Sequence, residues 1–264
     1  METHIFFFIA AMIAGAINAL AGGGGLITFP LLALVLPLVT ADATSAFALL
    51  TAYPAAVWRT RGELTNVPRR WIWLLLIPSV LGGLLGALLL SWSGDRNFVV
   101  LVPWLILVAT LLLLLRPILV SQGGSGDHRQ PHLSPVLQAV AVISVFLVAL
   151  YGGYFGAGIG ILMISALSLL GLGDIRSVVA LKNLLTGCLR GVAVVALVAE
   201  GLVDWGYGLP MAVGGLVGGY LGGMASHRAN RTVVRWIVIG VGFSVAAYYF
   251  WRLYGLPDLH LGGE

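Results

Sequence analysis

Charged residues cut the chain into long apolar runs. None of Asp, Glu, Lys or Arg occurs between His4 and Ala41, nor between Leu133 and Gly173. A helix crosses the bilayer core in about 20 residues, so each run is too long for one crossing. Each is also interrupted by glycine: Gly22, Gly23, Gly24 and Gly25 in the first run, and Gly152, Gly153, Gly156, Gly158 and Gly160 in the second. The pattern predicts, in each run, two apolar segments joined by a broken middle. Further spanning helices are predicted at 43–58, 71–90, 98–115, 177–199, 205–226 and 236–254. Trp58, Trp71, Trp73, Trp92, Trp205, Trp236 and Trp251 fall at segment ends, where an interfacial aromatic belt is expected. The fold class this predicts is an all-α polytopic membrane protein.

The two halves repeat each other. Ala21-Gly-Gly-Gly-Gly-Leu-Ile aligns with Gly156-Ala-Gly-Ile-Gly-Ile-Leu, and at the same offset Leu49, Leu50 and Thr51 meet Leu184, Leu185 and Thr186. Later, Pro78-Ser-Val-Leu-Gly-Gly-Leu-Leu-Gly matches Pro210-Met-Ala-Val-Gly-Gly-Leu-Val-Gly. The halves are expected at 1–120 and 136–264. The Gly-, Ser-, His- and Pro-rich segment 121–135 reads as a cytoplasmic connector. Loop charge then sets orientation. Loop 59–70 holds four arginines where its counterpart 200–204 holds only acids; loop 227–235 holds three where 91–97 has Arg96 beside Asp95. With basic loops inside, equivalent loops face opposite sides. Each half then crosses an odd number of times: five if the glycine-broken pairs span fully, three if they are re-entrant. The expected architecture is an inverted-topology repeat with glycine-broken helices, as in many secondary transporters.

Composition agrees. Of 264 residues, 59% are hydrophobic and 9% charged, against about 25% charged in soluble domains. The 36 glycines fit close helix packing and broken helices. Residues 4–20 lack a basic leader and read as a retained first helix, not a signal peptide. The net charge of +4 reflects basic loops and gives no support to a nucleic-acid partner. With Cys188 the single cysteine, neither an intrachain disulfide nor a cysteine-ligated metal site is expected, and no cofactor motif is present.

Candidate chemistry lies in the second half. Lys182, the single lysine, and Arg190 sit inside one apolar stretch. A charge at bilayer depth costs about 2.5–3.5 kcal/mol on insertion scales, so such residues usually face a cavity. On a helix beginning near Asp174 or Ser177, Lys182, Thr186 and Arg190 recur at i, i+4 and i+8, with Asn183 beside them. No acid falls inside the predicted spans, so a bound anion is the expected counter-charge, and no carboxylate is expected to relay protons. Lys182 could instead snorkel to the rim, and Arg190 could bond helix-end carbonyls in a glycine break. The breaks themselves expose N–H groups at the start of the following half-helix, which favour an anion. Packing of small residues is the alternative reading of these glycines. Asn18, Thr28, Thr44, Ser45 and Thr51 are the polar groups of the first half, each able to satisfy itself on a helix carbonyl. The candidate site residues are Lys182, Asn183, Thr186, Arg190, Gly22, Gly23, Gly24, Gly25, Gly156, Gly158, Gly160, Asn18 and Thr51.

Motifs of other classes are missing. The glycine run has no following Lys-Ser/Thr of a phosphate-binding loop, and neither His-Glu-x-x-His nor Gly-x-Ser-x-Gly occurs. An enzyme is therefore not expected, and His128 and His132 read as solvated connector residues.

With Gly15-Ala-Ile-Asn-Ala-Leu-Ala-Gly-Gly-Gly-Gly-Leu-Ile-Thr-Phe-Pro-Leu-Leu, Gly152-Gly-Tyr-Phe-Gly-Ala-Gly-Ile-Gly-Ile-Leu and Ala180-Leu-Lys-Asn-Leu-Leu-Thr-Gly in hand, the chain resembles the sulfite exporter TauE/SafE family from Ile13 to Tyr254. The resemblance implies a multi-pass transporter in a prokaryotic inner membrane, moving sulfite, organosulfonates or related small acids. Ser165 stands where Pro30 stands in the first half, so the half-sites need not be equivalent. The expected partners are a small anionic substrate and the bilayer; a homo-oligomer stays open. An anion channel, or a non-transporting subunit whose cations bind an anionic lipid, is the alternative.

Overall fold

A computed structural model describes residues 2–20, 23–121, 135–168, 175–225 and 231–254. Gly22, Asp174, His128, His132 and nearly all of the connector lie outside them. Among the described residues every regular element is helical: α1 (Glu2–Leu20), α2 (Gly25–Leu32), α3 (Leu38–Leu50), α4 (Ala52–Thr60), a 3-10 turn (Arg61–Asn66), α5 (Arg69–Ser121), α6 (Pro135–Tyr154), α7 (Ile159–Ser168), α8 (Ile175–Ala199), α9 (Trp205–Ala225) and α10 (Arg231–Tyr254). Three stretches are long and apolar enough to cross a bilayer, Arg69–Leu115, Arg176–Ala199 and Val233–Tyr254. Thr3–Asn18 and Gln138–Tyr154 are shorter apolar helices. The chain is an all-α membrane protein.

The helices break for identifiable reasons. The break in the first run lies just before α2, with Gly23 at φ +95°. In the second run it falls at Gly156 and Gly158, at φ +74° and +72°, a region that side chains with a Cβ rarely occupy. Gly152 and Gly153, expected to share in that interruption, instead lie within α6. The following helices are short: α2 has 8 residues and α7 has 10, or about 12 and 15 Å at 1.5 Å per residue. The stretch expected as one span at 43–58 divides into α3 and α4. Pro54 has no N–H for the Leu50 carbonyl, and Thr51 takes the joint, its one hydroxyl proton shared between Ala48 O and Ala212 O, each 3.0 Å away. Conversely, α5 joins two expected spans and breaks helical geometry only at Gly94 (φ 61°, ψ 169°). The next residue, Asp95, accepts the Val39 N–H at 2.9 Å. That bond satisfies an orphan donor in the first turn of α3.

The duplicated Pro-x-x-x-Gly-Gly-Leu-x-Gly motif has one physical role in both copies. On α5, a Cβ at Gly82 would lie 2.7 Å from the Phe146 carbonyl oxygen of α6, and one at Gly86 would collide with Leu150 O. On α9, Cβ atoms at Gly214 and Gly218 would collide with Phe8 O and Met12 O of α1. Each glycine pair thus seats its helix, backbone against backbone, on the first helix of the other half. Small residues permit such approach where lipid-depth association depends on van der Waals contact.

Candidate functional site

A cavity of about 680 Å³ opens between the halves, bordered by α3, α4, α8 and the two glycine breaks. The α8 stripe faces it as the 3.6-residue period requires: Lys182, Asn183, Thr186 and Arg190 all line it. So do Asn18, Gly23 and Gly25 from the first break, and Gly156, Gly158 and Gly160 from the second. Two described candidates stand elsewhere. Gly24 packs behind the break, where a Cβ would lie 2.5 Å from Ala14 O and 3.0 Å from the Asn18 Cβ. Thr51 is occupied by the helix joint described above.

The cavity is graded in depth. Exposed Arg59 of α4 stands at one end, partly buried Lys182 lies further in, and Arg190 is only 8% exposed. The chain passes close beneath both inner cations. A Cβ on Gly160 would come 3.9 Å from Lys182 Nζ, and one on Gly156 would fall within the Arg190 guanidinium. Arg190 Nη2 donates to Phe155 O at 3.4 Å, the bond to a break carbonyl weighed as the alternative for this residue, yet its buried Nη1 has no hydrogen-bond partner. Thr186, 1% exposed, likewise has an unpartnered hydroxyl. Asn183 donates to the Thr60 hydroxyl at 3.3 Å and so ties α8 to α4. Tyr151 donates to Ala157 O at 2.8 Å, pinning the second break.

The expectation that no acid lies at this depth is overturned by Asp42. It sits one turn into α3, is 3% exposed, and lines the same cavity as Arg190. The two side chains act on each other electrostatically. Asp42 Oδ2 nonetheless has no hydrogen-bond partner. In sequence Asp42 stands at the border between two apolar stretches, where it reads as a flanking residue. The available signal is that residues on both sides, from Leu38 to Ala43 and beyond, are helix-compatible and largely apolar. Ser45, Tyr53, Arg59 and Thr60 also line the cavity and were not among the expected site residues. Ser45 shares a 2.6 Å bond with Thr28, which joins α3 to α2.

Aromatic rings back one part of the wall. Phe155 borders the cavity, and its ring meets Phe29 at 5.3 Å and Phe98 at 6.4 Å between centroids. Phe98 in turn contacts Phe29 at 6.2 Å and Tyr154 at 5.7 Å. The three phenylalanines are 0–3% exposed. The result is a chamber with fixed cations, unpartnered donors and a packed hydrophobic backing, a combination able to hold a small anion out of bulk water.

A family model described as sulfite exporter TauE/SafE matches residues 7–249, nearly the whole chain. The chain belongs to the TauE/SafE family. This TauE/SafE protein is 32% identical over 244 residues to a "Probable membrane transporter protein" of Haemophilus influenzae, covering 91% of each chain. It is 28% identical to "Probable membrane transporter protein ORF9" of a Sinorhizobium species, covering 91% of this chain and 90% of the relative. It is 26% identical to "Probable membrane transporter protein YfcA" of Escherichia coli, covering 97% and 92%. No solved structure matches it. As a TauE/SafE member it is a membrane transporter.

Proposed function

We propose that this transporter carries a small oxyanion, sulfite, an organosulfonate or a related sulfur or carbon acid, by alternating access through the cavity beside Arg190. The observation that carries this reading is the buried, unpartnered Nη1 of Arg190 at a glycine break. An arginine stays charged at any physiological pH, and burying it without full pairing costs several kcal/mol. A bound oxyanion supplies the missing acceptor and the bidentate geometry that a guanidinium favours. Thr186 and the N–H groups ahead of α7 add donors, while Lys182 and Arg59 draw the anion inward. Gly23 and Gly25 of the first break complete the wall.

Alternating access rests on an inverted-repeat arrangement. The duplicated glycine motif supports it, because each copy performs the same packing on the opposite half. So does the clustering of acidic loops: Ser91 donates to Glu200 at 3.3 Å, Asp204 N–H donates to Thr44 at 3.0 Å, and Asp95 caps α3. Those contacts gather 91–97, 200–204 and the first half of α3 together, as loops expected on one side of the membrane would be.

The test is uptake into proteoliposomes of sulfite, sulfonates, sulfate and small carboxylates by the wild type and by Arg190→Ala. The expected result is uptake of a subset of these anions, and its loss by at least about a hundredfold in Arg190→Ala, with the variant still monodisperse. Undiminished uptake in Arg190→Ala would remove this residue from the path.

A further inference from the structure

Asp42 places a second charge beside the one that would hold the cargo. Its carboxyl is buried in α3, borders the chamber with Arg190, and has an oxygen without a hydrogen-bond partner. The unpartnered nitrogen of Arg190 lies in the same chamber. Asp42 and Arg190 thus border one chamber, each with a buried polar atom that no protein group satisfies, and a third group seated there can serve both. An anion seated on Arg190 would face a second negative charge if Asp42 were ionised. In a low-dielectric chamber that repulsion is strong. Once protonated, the same carboxyl carries no charge and offers an O–H donor to the anion. Protonation therefore turns Asp42 from a competitor for Arg190 into a ligand of the cargo.

We propose that Asp42 is the coupling-proton site of this transporter, so that each anion bound at Arg190 is accompanied by one proton on the Asp42 carboxyl. The inference rests on the anion reading of the chamber and adds its coupling ion. The proton comes from the water phase to which the chamber is open and returns to water when the anion leaves. No other bond is made or broken.

The other charged and titratable groups around Asp42 leave it this role. From α8, Arg190 and Lys182 are cations. From α6, Tyr151 feels both Asp42 and Arg190 and is held by Ala157 O. Tyr53 and Arg59 of α4 and Tyr220 of α9 line the chamber. Helix α2 has no titratable residue, α5 contributes none to the lining, and α1 contributes only Asn18. Asp42 is thus the sole carboxylate among the lining residues.

The experiment measures binding of methanesulfonate and of sulfate to the purified full-length protein by calorimetry, over a range of pH and in buffers of differing ionisation heat. Both probes remain unprotonated throughout, so any proton taken up belongs to the protein. In the wild type, affinity should fall by about tenfold per pH unit on the alkaline side of the Asp42 titration, with uptake of one proton per anion. In Asp42→Asn the slope and the proton uptake should both vanish, and Asp42→Glu should restore them. Thermal unfolding of both variants separates this from misfolding, and the conservative glutamate keeps the test valid if the asparagine variant is unstable. Wild-type binding that ignores pH, proton uptake that persists in Asp42→Asn, or affinity that instead rises with Na⁺ at fixed pH would overturn the proposal. If sulfite, small carboxylates and both probes all fail to bind the wild type at any pH, the anion reading falls, and the coupling inference falls with it.

Discussion

The guanidinium of Arg190 lies against the Cα of Gly156, in the space a β-carbon would fill. Gly156 also has φ +74°, so Gly156→Ala meets two obstacles. The left-handed conformation costs roughly 1–2 kcal/mol for a residue with a Cβ, and the methyl displaces the guanidinium. Gly158 is the matched comparison, at φ +72° with its nearest neighbour, Ala109 O, 3.4 Å from a built Cβ. Both alanine variants should lower the melting temperature, measured in detergent. Gly156→Ala should in addition weaken anion binding far more than Gly158→Ala does. Equal losses of binding would mean that the break matters only as a backbone bend.

The aromatic backing yields a second expectation. Phe98→Ala removes a fully buried ring that touches Phe29, Tyr154 and Phe155. The void opens behind Phe155, which lines the chamber. Efflux of preloaded sulfate from proteoliposomes without any driving gradient for exchange should rise several-fold over wild type, by analogy with the loss of contacts around any core void. An unchanged leak would locate the seal elsewhere in the bundle.

The glycine seams supply a third. A methyl at Gly218 would collide with Met12 O, and one at Gly86 with Leu150 O. Overpacking of this kind costs about 1–3 kcal/mol, and a backbone carbonyl cannot step aside as a flexible side chain can. Gly218→Ala and Gly86→Ala should each reduce thermal stability, whereas Gly240→Ala, where a Cβ meets nothing within 4 Å, should not. A drop of the same size at Gly240 would argue against the seams.

Much of this architecture is legible in the sequence, and the exceptions share a cause. Apolar run length locates most of the helices, and the cationic stripe of α8 follows from the helical period alone, since Lys182, Thr186 and Arg190 fall one turn apart. Both glycine breaks are visible as interruptions of apolar runs. Contacts between distant elements are not. Asp42 looks like a boundary residue until α3 is laid beside α8. Gly24 and Gly25 are neighbours of one type, yet one packs against α1 and the other borders the chamber. Thr51 aligned with Thr186 and seemed its equal, but its hydroxyl is consumed by the joint that Pro54 creates. Local pattern reports which residues share a helix face; it does not report what that face meets.

The reciprocal seams bear on how the molecule is made. Helix α1 leaves the ribosome well before α9, the surface that receives it. Until then the face of α1 at Phe8 and Met12 lacks the glycines that cover it, whereas α6 follows α5 directly and meets its glycines at once. The later seam to close is therefore the one joining an early helix to a late one, so a nascent chain halted before Gly214 has every residue of its first half and no finished protein.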